Sequence, residues 1–254
     1  MKLNFSCSGK GEPLILIHGL FGSLENLGVL ARALQEDFRV YAIDLPNHGR
    51  SPHTDQLDLT LLTRTLEQWM NDQQLATATL IGHSLGGKVA MELALSHPDR
   101  VARLAVMDIA PGPCPERNGE VFAALMSLPL ENISSRNEAR EHLARHGLEA
   151  GVQGFLLKNL QRGQDGGFRW RVNLPLLHSN YARLVAANRE GRYDSPVLFL
   201  KGEHSGYIHE GQRADILARF PAAQLKIVAG AGHWLHADKP ELVTALLRRF
   251  LMAS

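Results

Sequence analysis

Cysteine is nearly missing: the 254 residues contain two, Cys7 and Cys114. Two thiols can build neither a disulfide framework nor a structural zinc site, so free thiols in a reducing compartment are expected. An excess of charge of one sign is also lacking. With 27 Lys and Arg against 26 Asp and Glu, the formal net charge is +1, which gives no electrostatic case for nucleic acid or an anionic membrane surface as partner. Long hydrophobic runs are absent as well. The apolar residues 14–17 are far too few to span a bilayer, and the polar residues 4–11 leave no core for a secretion signal. The expectation is a soluble, cytoplasmic protein without stable membrane insertion. Twelve histidines are present, but none falls in a His-Glu-x-x-His or similar ligand spacing, so metal catalysis is not expected. What the chain does have is a 44% hydrophobic fraction. That is enough apolar surface for one large core at a length that suits one compact domain with a small insert.

Short apolar runs bounded by turn residues alternate with stretches of helical period. Residues 13–17, 39–43, 78–81, 101–107, 196–200 and 224–228 read as strands. Residues 29–35, 57–74, 85–96, 210–219 and 240–251 read as helices, the third stopped by Pro98. Strands apolar on both faces and separated by helices imply an α/β fold: a mostly parallel twisted sheet with helices on both faces. In such sheets functional groups gather at the carboxyl ends of the strands. The rhythm breaks after Pro111. Residues 121–128, 138–146 and 152–160 are amphipathic, and only 168–172 alternates weakly, as a short strand would. The expected organisation is a core of residues 1–111 and 194–254, with 112–193 as a small helical cap insert over the carboxyl edge.

The most informative segment is Gly82-His83-Ser84-Leu85-Gly86, between a strand and a helix. A Gly-x-Ser-x-Gly turn in that context presents a nucleophile on a bend too tight for side chains at the flanking positions. Ser84 is therefore the candidate nucleophile. A tetrahedral oxyanion needs two donors. One is the Leu85 N–H; the other comes from the loop His18-Gly-Leu-Phe-Gly-Ser23 after the first core strand, assigned to Leu20 with Phe21 as the nearest competitor. The base should lie after the last strand, where small residues precede His233. His83, adjacent to the nucleophile on a sharp turn, reads as a structural or pocket-wall residue, and His236 as a surface or supporting one. The acid is open. The usual loop reads Lys201-Gly-Glu-His-Ser205, with Ser205 where an Asp commonly stands. Asp108, at the end of an earlier core strand, and Glu203 are the two carboxylates that could replace it. Trp170, Phe122, Leu156 and Trp234 are candidates for an apolar substrate wall. Lys88, Arg117 and Arg169 read as solvated surface.

Five segments together resemble a known superfamily across nearly the whole chain. They are residues 18–27, Asp44-Leu-Pro-Asn-His-Gly-Arg-Ser51, Gly82-His-Ser-Leu-Gly-Gly-Lys88, Asp108-Ile-Ala-Pro111 and Ala229-Gly-Ala-Gly-His233. The chain is similar to α/β-hydrolases, and in its details to the small bacterial YbfF-type esterases. The resemblance implies an acid after the sixth strand of the family fold, hence Asp108. It also implies a structural turn around Asp44, His48 and Ser51, a lidded pocket, and cofactor-free hydrolysis of a small-molecule acyl ester or thioester. C–C bond hydrolysis or perhydrolysis on the same three residues is the alternative, with a non-catalytic ligand receptor behind it. A Ser at position 84 sets the chain apart from dehalogenases and epoxide hydrolases, which use Asp there.

Overall fold

A computed structural model describes residues 1–163 and 166–253. Among these, seven strands form one sheet: β1 (Phe5–Ser8), β2 (Pro13–Ile17), β3 (Arg39–Ile43), β4 (Ala78–His83), β5 (Val101–Met107), β8 (Val197–Gly202) and β9 (Ala223–Val228). Their spatial order is β1-β3-β2-β4-β5-β8-β9, and only β1 runs antiparallel to its neighbour. β1 is a strand the sequence pattern does not announce. Its segment Phe-Ser-Cys-Ser is polar because it lies at the edge with its middle residues exposed, and Phe5 anchors it against the rings of Tyr41 and Trp69.

The two-residue period of a strand sorts its side chains to opposite faces, and the core divides accordingly. Ile15, Ile17, Leu80, Leu104 and Val106 pack on the face covered by α2 (Leu59–Asp72) and α3 (Leu85–Ser96). Leu14, Leu16, Ile81, Ala105 and Met107 pack on the other, under α1 (Gly28–Leu34) and the helix Pro240–Leu251. Each such Leu, Ile, Val or Met side chain, withdrawn from water, contributes about 1.5–3 kcal/mol. Asp58 caps α2 by accepting from the Leu61 N–H at 2.7 Å. The segment 210–219 does not form one helix. A single 3-10 turn, Glu210–Gln212, precedes α9 (Arg213–Arg219), because His209 and Gln212 cap each other across it.

Between β5 and β8 the chain leaves the sheet. It forms α4 (Gly119–Met126), α5 (Arg136–Arg145), α6 (Ala150–Leu157), the antiparallel pair β6 (Leu160–Arg162) and β7 (Phe168–Trp170), then α7 (Leu174–Ser179) and α8 (Tyr181–Leu184). α6 is shorter than its amphipathic pattern suggests, since Leu160 belongs to the small sheet. Lys88 corrects the surface reading. It is 1% exposed, and its ammonium donates to the carbonyls of Gly112, Ala186 and Pro111 at 2.5, 2.9 and 3.0 Å. One lysine of α3 thus ties down both ends of the inserted segment. Glu92, one turn further, does the same at the returning end through Asn188 and Arg189. No helix among the described residues is long and apolar enough to cross a membrane.

Candidate active site

β4 delivers Ser84 on a bend at φ 51°, ψ −117°. Only a crowded turn imposes such angles on a residue with a side chain, at a cost of about 1–3 kcal/mol. The crowding is measurable: a Cβ on Gly82 would lie 2.3 Å from the Gly86 carbonyl oxygen, and one on Gly86 2.2 Å from that of Ile17. Ser84 Oγ stands 3.1 Å from His233 Nε2. His233 Nδ1 lies 2.7 Å from Asp108 Oδ2. A carboxylate only accepts, so Nδ1 carries the hydrogen and Nε2 offers its lone pair to the serine hydroxyl.

Asp108 follows β5 directly, at φ 57° and fully buried. Its Oδ1 accepts from the Gly202 N–H at 3.0 Å, and Oδ2 accepts from the Ser205 hydroxyl. Three donors therefore converge on one buried carboxylate and satisfy its oxygens. Ser205 keeps contact with the imidazole's partner rather than standing idle where an acid is usual. Glu203 points elsewhere. Its Oε2 accepts from the Gly230 N–H at 2.7 Å, so it braces the loop that carries His233.

Around this relay sit groups that sequence reasoning reads only in outline or misses. His83 donates from Nε2 to the His233 carbonyl at 2.9 Å, and burial, with His236 and His233 nearby, holds its pKa well below the ordinary value. Of the two readings of His236, surface or supporting, the structure fits the second. The residue is 6% exposed, its ring lies 4.5 Å from that of His83, and burial pushes its pKa down to about 4. Tyr207 stacks on His233 with ring centres 3.9 Å apart and planes 17° off parallel. The Arg117 guanidinium lies 5.2 Å from the Tyr207 ring centre. The only sequence signal for Tyr207 is its place in the loop after β8.

Leu85 opens α3, so its N–H has no acceptor within the helix. Leu20 sits one residue before Phe21, whose φ of 59° turns the loop sharply. Leu20, Leu85 and Ser84 border one small cavity. A larger cleft of about 250 Å³ opens on the His233 side of Ser84, and Val121, Val152, Phe155, Leu156 and Trp234 give it apolar walls. Of the expected wall residues, Leu156 and Trp234 are there. Phe122 packs inside the insert against the rings of Phe21 and Tyr181, and the Trp170 indole donates to the Leu125 carbonyl at 3.2 Å.

A mostly parallel sheet, a strained serine at the end of its central strand and a histidine returning from the last loop define a class of protein. The chain belongs to the family described as alpha/beta hydrolase fold, which matches residues 12–240. Within it, the chain is 39% identical to the esterase YbfF of Escherichia coli K12, with 99% of each chain covered. It is also 39% identical to the sn-1-specific diacylglycerol lipase ABHD11 of Xenopus laevis, over 90% of this chain and 76% of that one. A solved marine microorganism esterase is similar in structure at a TM-score of 0.95 and 38% identity, covering 98% of this chain and 99% of the other.

Proposed function

We propose that this chain hydrolyses small-molecule carboxylic esters or thioesters through an acyl intermediate on Ser84. The observation that carries the proposal is the continuous relay Ser84–His233–Asp108, at 3.1 and 2.7 Å. His233 takes the Ser84 proton as the hydroxyl oxygen attacks the substrate carbonyl. The Leu20 and Leu85 N–H groups receive the oxyanion. Asp108 holds the imidazole in the tautomer the transfer needs and stabilises the imidazolium that forms. That imidazolium protonates the departing alcohol or thiol. A water, deprotonated by His233, then attacks the acyl carbonyl, and the acid leaves with Ser84 restored. The esterase and lipase names of the relatives support the ester chemistry. Residues 112–193 act as a cap in this reading, since Val121, Phe155 and Leu156 wall the cleft beside Ser84. Ser84→Ala should lower kcat on a p-nitrophenyl ester by at least roughly a thousandfold, with an unchanged melting temperature. A variant that kept wild-type turnover would remove Ser84 from the mechanism.

A further inference from the structure

Two cavities meet at Ser84, and they differ in size and in what faces them. One is the cleft of about 250 Å³ that includes His233. The other, of about 30 Å³, is bordered by Leu85, Ile109, Leu184 and Val185 and does not include His233. The chemistry assigns their occupants. The leaving oxygen must lie within hydrogen-bond reach of His233 Nε2 to be protonated, so the alcohol side of the substrate occupies the large cleft. The acyl substituent, on the other side of the same carbonyl carbon, is directed into the small cavity. About 30 Å³ accommodates roughly two water-sized groups.

We propose that this site selects esters whose acyl group is short and uncharged, of about two to three carbons, carried on a larger apolar alcohol. The inference rests on the serine-hydrolase reading above and adds the substrate's asymmetry to it. Three of the polar groups at the cavity wall, Asn118, Tyr181 and Lys88, already have partners. Asn118 Nδ2 donates to the Tyr181 hydroxyl at 2.8 Å, and the Lys88 ammonium is taken up by three carbonyls. An acyl carboxylate therefore meets no open cation there. The same lysine bonds fix Gly112 and Ala186, at the two ends of the insert, to α3, so the cavity resists swelling around a longer chain. The cleft walls, by contrast, are apolar and wide enough for a branched or extended alcohol.

Hexyl acetate and ethyl hexanoate are isomers that exchange the long and short sides of one ester. The expected result is a kcat/KM for hexyl acetate at least tenfold above that for ethyl hexanoate. Val185→Ala, which enlarges the small cavity, should shift that ratio at least fivefold toward hexanoate. Equal rates on the two isomers, or a preference for hexanoate in the wild-type enzyme, would overturn the assignment whether or not the variant folds. Labelling of Ser84 by a fluorophosphonate separates the two levels of failure. Labelling without cleavage of either isomer sinks the substrate assignment alone. No labelling together with no ester cleavage sinks the serine-hydrolase reading and the substrate assignment with it.

Discussion

At the scale of single residues, the test is which carboxylate serves His233. Asp108 touches the imidazole at 2.7 Å, whereas Glu203 bonds the Gly230 N–H. Asp108→Asn should reduce kcat by about a thousandfold or more, because the amide can present a hydrogen to Nδ1 and favour the wrong tautomer. Glu203→Gln keeps an acceptor for Gly230 and should cost less than about tenfold; the opposite order in steady-state kinetics would transfer the acid role. Ser205→Ala should fall between the two, since one charge-assisted hydrogen bond is worth about 1.5–3 kcal/mol. Ser84 and His233 were legible in the sequence because each follows a recognisable strand, β4 and β9. The acid stays open there between Asp108 and Glu203, with Ser205 where an Asp is usual, and only the family resemblance implies Asp108. The stacking of Tyr207 and the hydrogen bond of His83 to the His233 carbonyl were not legible, although His83 reads as structural or pocket-wall and does border the cleft. A ring stacked on a histidine, or a donor to its carbonyl, is created by segments that meet only after folding and leaves no periodic trace.

At the scale of elements, the core reads better than the insert. The central strands are continuous apolar runs because both faces are covered, and β2, β3, β5 and α3 begin and end where their patterns do. The insert's boundaries were less legible, because its small sheet of two three-residue strands is held by packing rather than by composition. Lys88 shows the same limit. A lysine on a helix reads as solvated unless three carbonyls from elsewhere converge on it, and those carbonyls come from residues 23, 24 and 98 positions away. Lys88→Met would keep the aliphatic length and strand the three carbonyls, with a predicted loss of at least about 3 kcal/mol in urea unfolding. Because both ends of the insert lose their tether, limited proteolysis of this variant should cut first within residues 112–193. A variant as stable as wild type with uniform cleavage would show that the tether carries no load.

At the scale of the whole molecule, the relevant property is how many histidines the fold buries uncharged. His48 is held at a pKa of about 3 and His236 at about 4, both chiefly by burial. His18 and His83 are also lowered, with burial as the first cause. The unfolded chain protonates each of these near 6.5, the ordinary value. Below that pH the unfolded state therefore binds protons that the native state refuses. Stability is fully present above about 6.5 and is lost as the pH falls toward the folded values, at up to about 1.4 kcal/mol per pH unit for each histidine. Two such groups alone take about 3 kcal/mol between pH 6.5 and 5, a large share of an ordinary folding free energy. Thermal melts should show Tm lower by about 10 °C at pH 5 than at pH 7.5. The loss should shrink in a variant carrying His48→Asn and His236→Gln, provided that variant folds at neutral pH. The acid sensitivity belongs to the body of the fold rather than to catalysis, so it should be equally large in Ser84→Ala. A Tm independent of pH over this range would mean that these rings accept protons without disturbing the packing around them, contrary to their burial.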